Sequence, residues 1–134
     1  MQKISQIESI GVRFTELLHE AGIDDQQQLL EACSQKSKCE QLAKQTGINT
    51  KLLNKWSTQA DLARIDGIGE DYANLLEHCG VLSVTILSQF NAEKLFQTLQ
   101  QMNIQTNYLK HLPSIQQVET WIKQATKLPV ILER

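Results

Sequence analysis

The strongest constraint on the fold is a segment that occurs twice in the chain. Residues 65–81, IDGIGEDYANLLEHCGV, align without gaps on residues 7–23, IESIGVRFTELLHEAGI, at an offset of 58 residues. Similarity at one offset over a whole segment indicates an internal duplication. In both copies, apolar residues recur at i, i+3, i+4 and i+7 after a glycine-containing turn, which predicts an amphipathic helix. A glycine after each predicted helix can adopt the left-handed conformation that ends a helix.

The rest of the chain is also predicted to be helical. The predicted N-caps are Asp24 or Asp25, Asn49 or Thr50, Ser83, Asn91, and Ser114 with Gln117 in a capping box. Asn103-Ile104 occupies the place that Gly47-Ile48 has in the first half, so Asn103 is predicted to close its helix in the left-handed conformation. No stretch shows the alternation of a strand. The sequence predicts an all-α fold of two repeats, residues 1–64 and 65–134, packed into one compact helical domain.

Composition limits the functions to be considered. The chain has 134 residues, a formal charge of −2, 41% apolar residues and 21% charged residues. These values are typical of a globular protein, and they give no overall positive field to attract nucleic acid or an anionic membrane. No apolar run is long enough for a membrane span and no signal-peptide segment is present, so we expect no membrane association and a cytoplasmic location.

Three cysteines, Cys33, Cys39 and Cys79, are expected to be buried reduced thiols. Their spacing does not suit zinc, and we expect no metal and no cofactor.

One stretch of the chain is positively charged. Between residues 36 and 55 the only acidic residue is Glu40, whereas five lysines lie there: Lys36, Lys38, Lys44, Lys51 and Lys55. Such a stretch is either an ordinary solvated helix surface or a surface that binds an anion. The sequence leaves both interpretations open.

The duplicated segment resembles the helix-hairpin-helix motif. The resemblance depends on Ile65, on Gly67-Ile68-Gly69, on Tyr72 and on Gly80-Val81, and on the weaker copy between Ile7 and Ile23. With Asp61-Leu62 before the second copy and Pro113-Ser114 near the end, the chain from about Ile4 to Leu128 is similar to a bacterial family of tandem helix-hairpin-helix proteins. That family is known only as a domain of unknown function.

The resemblance implies contact with a nucleic-acid backbone, in which hairpin amides hold phosphate oxygens and a basic residue adds charge. These amides would come from Ser9 to Arg13 and from Gly67 to Asp71. Glu70 and Asp71 follow Gly69, where a basic residue would favour a phosphate, so we expect the first hairpin to be the better site. The candidate nucleic-acid-binding residues are Ser9, Gly11, Arg13, Lys36, Lys38, Lys44, Lys51, Lys55, Gly67 and Gly69.

Two functions are compatible with the sequence. The first is a non-enzymatic module that binds duplex nucleic acid without sequence preference through the first hairpin. The second is an adaptor that presents its acidic second hairpin and the apolar residues of its C-terminal tail, 129–134, to a protein partner. We expect no enzymatic activity, because His19, His78 and His111 are scattered and no carboxylate cluster converges as a two-metal site requires.

Overall fold

All eight helices seen in the described part of the chain are α-helices of ordinary length. The computed structural model describes residues 2–7, 9–107 and 109–133, so Glu8 of the first repeat and Arg134 of the tail lie outside the described residues. The helices are α1 (Gly11–Glu20), α2 (Gln26–Ala32), α3 (Lys36–Thr46), α4 (Thr50–Leu62), α5 (Glu70–His78), α6 (Val84–Ser88), α7 (Ala92–Thr106) and α8 (Ile115–Lys127). A 3-10 turn, Ile4–Gln6, precedes α1. The all-α class is confirmed. None of the described helices combines the length and the hydropathy needed to cross a lipid bilayer.

The chain divides into two compact units. Unit 1 contains Met1–Asp61 together with Ile131–Arg134, and unit 2 contains Leu62–Val130. The division therefore falls at the last turn of α4, and the end of the chain packs with unit 1. Each unit has its own cluster of buried apolar side chains.

The core of unit 1 is built around the contact between Phe14 and Trp56. Their ring centroids are 5.3 Å apart and the planes are tilted by 59°. Helix α1 contributes Leu18, which is fully buried, because its apolar residues lie on one side of the helix. The other buried members of this cluster are Ile4, Ile7, Ile10, Ile23, Leu29, Cys33, Cys39, Leu42, Ile48 and Leu53.

The core of unit 2 repeats this arrangement around Tyr72 and Trp121. Here the ring centroids are 5.2 Å apart and the planes are tilted by 57°. Leu76 takes the place of Leu18, and the other buried members include Ile65, Ile68, Val81, Leu87, Leu95, Leu99, Val118 and Ala125. The two tryptophans are 65 residues apart instead of 58, because the segment between α7 and α8 is longer than the one between α3 and α4.

The predicted N-caps agree with the structure. The cap of α2 is Asp25, the cap of α4 is Asn49, and Ser83 and Asn91 cap α6 and α7. Ser114 and Gln117 form the predicted capping box of α8. In each case a side-chain oxygen accepts a hydrogen bond from a backbone N–H that has no partner within the helix.

The prediction for Asn103 is wrong. Helix α7 continues through this residue to Thr106, and the left-handed residue is Asn107, with φ of 56°. The Asn103 side chain instead bonds to the backbone of Leu109: its Nδ2 donates to the carbonyl oxygen at 3.1 Å, and its Oδ1 accepts from the N–H at 2.9 Å. These two bonds fix the chain that leaves α7.

The apolar tail packs within unit 1. Leu132 is buried with Leu30 and Ala60. The Glu133 N–H donates to the carbonyl oxygen of Ser34 at 2.8 Å. Val130, which precedes this contact, is 61% exposed. Leu132 is therefore covered by unit 1, whereas Pro129 and Val130 are exposed.

Candidate nucleic-acid interface

The first hairpin leads directly into α1. The Ile10 N–H donates to the carbonyl oxygen of Ile7 at 3.2 Å and closes a turn that contains Ser9. Gly11, the first residue of α1, has φ of 79°. Asn107 is the one non-glycine residue with a positive φ in the described part of the chain, so Ser9 has an ordinary backbone conformation. The strained position of this hairpin is therefore Gly11.

The second hairpin has the same closing bond but a different backbone. The Ile68 N–H donates to the carbonyl oxygen of Ile65 at 3.2 Å, and the left-handed residue inside this turn is Gly67, with φ of 93°. A positive φ at the third residue of a turn is typical of type II turns and favours glycine. Gly69, which aligns with Gly11, is extended, with φ of −95° and ψ of −169°. The left-handed glycine thus occupies different positions in the two hairpins.

The N-terminus of α1 is suited to an anion. Its N-cap, Ile10, makes no side-chain capping bond, and the first turn contains no acidic residue. The first N–H groups of a helix have no partner within the helix, and they lie at its positive end. Arg13 is exposed in this turn, and Val12 beside it is 78% exposed. In this first turn a phosphate would meet amides and a guanidinium, and no residue of the turn carries a carboxylate.

The N-terminus of α5 differs in charge and in the packing of its turn. Glu70 and Asp71 lie in its first turn, which opposes a bound anion. The Asp66 N–H already donates to Oε1 of Gln124 at 3.0 Å. A Cβ added to Gly67 would lie 3.2 Å from Nε1 of Trp121, so this turn is packed against α8. A Cβ at Gly11 or at the aligned Gly69 would meet no atom within 4 Å. Both hairpins are exposed at their glycines, and they differ in charge and in the contact of Gly67 with Trp121.

The five candidate lysines are all exposed, and they lie on α3 and α4. Lys55 is next to Trp56, which contacts Phe14, the neighbour of Arg13. Lys51 lies one helical turn before Lys55 on α4. Lys44 lies elsewhere, because the residues after it line a cleft with Leu17, Glu20 and Ala21 at the other end of α1. The lysines thus extend over unit 1 instead of converging at the hairpin.

Lys36 and Lys38 lie in the first turn of α3. This helix start also lacks an acidic residue and a side-chain cap. Gln35, the N-cap, donates from Nε2 to Oε2 of Glu133 at 3.2 Å. A carboxylate of the chain itself therefore lies close to these two lysines, and this lowers the positive potential at that end of α3.

Two features of the structure were not predicted from the sequence. One is Gln124, which holds the second turn; its signal was the repeated pattern Trp-x-x-Gln at Trp56 and Trp121. The other is the ion pair of His19 with Asp24, beside an open cleft of about 390 Å³. The hydrogen bond to the Asp24 carboxylate raises the pKa of His19 above 6.5. No periodic pattern connects these two residues.

No metal-binding arrangement occurs in residues 2–7, 9–107 and 109–133, where no group of three or more His, Cys, Asp or Glu side chains is placed to hold an ion. Cys33 and Cys39 are buried as predicted, and Cys79 is partly buried. Burial raises the pKa of the Cys79 thiol to about 11.

Comparison with known proteins identifies the family of the chain. No significant match was found among curated proteins or among solved structures. The profile of one protein family, described as a domain of unknown function (DUF4332), matches residues 8–128. The matched segment includes both hairpins and all eight helices, and the chain belongs to the DUF4332 family.

Proposed function

We propose that the two repeats are helix-hairpin-helix motifs and that the chain is a non-enzymatic module that binds the phosphate backbone of duplex nucleic acid through the first hairpin. The observation that carries the proposal is the first turn of α1, which contains no acidic residue and exposes Arg13. The amides after Ser9 would hold phosphate oxygens, and the guanidinium of Arg13 would add a charge-assisted bond.

The distribution of charge supports this site over the second hairpin. Arg13 and the five lysines are exposed, and the ion pair found in the described part of the chain, His19 with Asp24, involves none of them. Of the five lysines, we expect Lys55 and Lys51 to act nearest the hairpin, because Lys55 adjoins Trp56, which contacts Phe14. Lys36, Lys38 and Lys44 would act at longer range, where salt screens their charge over about 10 Å at 0.1 M.

The net charge of −2 bears on the affinity that we expect for nucleic acid. Without a strong overall positive field, association gains little from electrostatic steering. Contacts that go only to phosphates fix the position of the protein and do not read bases. We therefore expect weak binding without sequence preference, and a steep decrease of affinity with salt because bound counterions are released.

The experiment exchanges two residues that align at the offset of 58, Arg13 and Asp71. Binding of a fluorescent duplex is measured by anisotropy at about 50 mM and 200 mM salt, where counterion release changes affinity strongly. Arg13→Asp should weaken binding and reduce the slope of log K against log salt by about 1, as the loss of one phosphate contact predicts. Asp71→Arg should leave binding unchanged or increase it slightly. No binding of the wild type at low salt, or equal effects of Arg13→Asp and a charge reversal at Lys127 of unit 2, would overturn the proposal.

A protein-interaction adaptor is the alternative, and one observation favours it. Asp66 and Asp71 are exposed on the second hairpin, so an acidic surface is available to a basic partner. The apolar tail contributes little to this alternative, because Leu132 is buried and only Val130 is well exposed. Loss of partner capture on Asp66→Asn with Asp71→Asn, in a chain that does not bind duplex DNA, would support the adaptor.

A further inference from the structure

Two cysteines meet in the core of unit 1. The sulfur atoms of Cys33 and Cys39 are 2.8 Å apart, and each residue is only 3% exposed. Cys33 is the C-cap residue of α2, and Cys39 lies one turn into α3. A disulfide bond is about 2.05 Å long, so the two sulfur atoms need to move by less than about 1 Å to form one.

We propose that Cys33 and Cys39 are a redox-modification site, at which the dithiol is converted reversibly into an intramolecular disulfide by a small-molecule disulfide. One cysteine thiolate attacks a sulfur of the reagent RS–SR, which breaks its S–S bond, forms a mixed disulfide and releases one RSH. The thiolate of the second cysteine then attacks the protein sulfur of the mixed disulfide and releases the second RSH. The two cysteines lose two electrons to the reagent, and their two protons end on the released thiols.

The position of the pair makes ring closure more favourable than a lasting mixed disulfide. Once one sulfur carries the small molecule, the other is already in contact with it, and intramolecular attack has a high effective concentration. Both cysteines lie where helices end or begin, and helix ends open more easily than helix centres. Such opening gives the reagent access to thiols that are otherwise covered.

The third cysteine is an internal control. Cys79 lies in unit 2, where it is partly buried and has no second cysteine in the same unit. Cys79 therefore lacks the second thiol that ring closure needs, and a mixed disulfide formed on it would be reversed by the released thiol. Cys79 should remain a thiol under conditions that oxidise the pair.

The disulfide would close the short connection between α2 and α3. This connection includes Ser34, whose carbonyl oxygen holds the tail through the Glu133 N–H, and it leads to Lys36 and Lys38. Cross-linking restricts the unfolded chain, and a loop this short should raise the Tm by about 5 °C. The proposal does not depend on nucleic-acid binding and can fail or hold independently of it.

The experiment treats the folded, reduced chain with oxidised glutathione and maps the product by mass spectrometry. Trypsin cleaves after Lys36 and Lys38, between the two cysteines, so the reduced chain gives separate peptides and the oxidised chain gives a linked pair. We expect the linked pair, a loss of two hydrogens, an unmodified Cys79 and a Tm that returns to its reduced value after treatment with dithiothreitol. Cys79→Ser should give the same product.

Three results would overturn the proposal. The first is a stable glutathione adduct on Cys33 or Cys39 without ring closure. The second is oxidation of Cys79 or a disulfide between two chains before the internal bond forms. The third is formation of the linked peptides only in urea and not in the folded chain. Cys33→Ala and Cys39→Ala are controls for peptide assignment, and the conclusion stands on the wild type if either variant fails to fold.

Discussion

The two hairpins have one sequence pattern and two backbone conformations. In both, an isoleucine N–H closes the turn onto the isoleucine three residues earlier. The left-handed residue is Gly67 in the second hairpin but Gly11 in the first, and these residues do not align. Ser9 aligns with Gly67, and a serine is disfavoured at a positive φ, so the left-handed conformation lies instead at the next glycine. Aligned glycines therefore do not guarantee aligned conformations.

The hairpins also differ in what lies against them. The second turn is held by Gln124 and packed on Trp121 at Gly67, whereas a Cβ at Gly11 or at the aligned Gly69 would meet no atom within 4 Å. The copy that keeps the full Gly-x-Gly pattern has acidic residues in its first helical turn. The copy that has lost a glycine has none in that turn. Retention of the motif and suitability for an anion are therefore separate properties here.

The largest expected effect comes from the aromatic pairs that the two units share. Trp56→Ala and Trp121→Ala each remove a buried indole and its ring contact, and each should lower the free energy of unfolding by about 3–5 kcal/mol. Urea titration followed by circular dichroism measures this loss. Trp56→Phe and Trp121→Phe are the controls and should cost less. A loss below about 1.5 kcal/mol at one tryptophan would contradict the equivalence of the two cores.

The glycines give the next largest effect and test the difference between the hairpins directly. Gly67→Ala places a Cβ at a positive φ and 3.2 Å from Trp121, and should cost about 2–3 kcal/mol. Gly11→Ala has the same backbone strain without the contact and should cost about 1 kcal/mol. Gly69→Ala, at an ordinary φ with open space, should be close to neutral. Equal costs for Gly11→Ala and Gly69→Ala would show that the two hairpins have the same backbone.

The helices and their caps could be predicted from the sequence because both depend on residues close together in the chain. Periodicity located the buried side of α1 and α5, and short polar residues marked the starts of α2, α4 and α6. The position at which α7 ends could not be predicted from the sequence. Asn103 and Asn107 lie one turn apart, and either could take the left-handed conformation. The choice depends on the bonds from Asn103 to Leu109, which no periodic pattern reveals.

Only part of the candidate site could be predicted from the sequence. The lysines were expected on a helix surface in either interpretation, and they are exposed, as is Arg13. The acidic start of α5 was visible in the sequence. The packing of Gly67 on Trp121 and the place of the tail in unit 1 were not, because they join residues far apart in the chain. Whether the exposed residues bind nucleic acid stays a prediction.

Removal of either of two aligned N-caps should lower the free energy of unfolding by about 1 kcal/mol. Asp25 accepts from the Gln28 N–H at 2.8 Å, and Ser83, at the aligned position, accepts from the Ile86 N–H at 3.1 Å. Asp25→Ala and Ser83→Ala should each lower the free energy of unfolding by about 1 kcal/mol, measured by urea titration. Asp25→Ala should cost more, because a carboxylate at the positive end of a helix makes the stronger bond. Asp25→Asn and Ser83→Thr keep an acceptor and should retain most of the stability.

The smallest expected effect is a pH dependence of stability that is present in unit 1 and absent from the aligned position of unit 2. His19 pairs with Asp24 in unit 1, whereas the aligned residues in unit 2 are Glu77 and Leu82, which cannot form this pair. The hydrogen bond to Asp24, and then its negative charge, raise the pKa of His19 above 6.5. The pair therefore stabilises the folded chain fully below pH 6.5, and this contribution is lost as the pH rises through the folded pKa.

An NMR titration of the histidine ring protons measures this pKa directly. Asp24→Asn should return the pKa of His19 towards 6.5, because the asparagine carries no charge and accepts a weaker bond. Both side chains are mostly exposed, so the shift should decrease in high salt, and the stability curve should change only slightly between pH 6 and 8. A pKa of His19 that is the same in the wild type and in Asp24→Asn would show that the pair does not persist in solution. The pH dependence of unit 1 would then have to come from other groups, and this difference between the repeats would disappear.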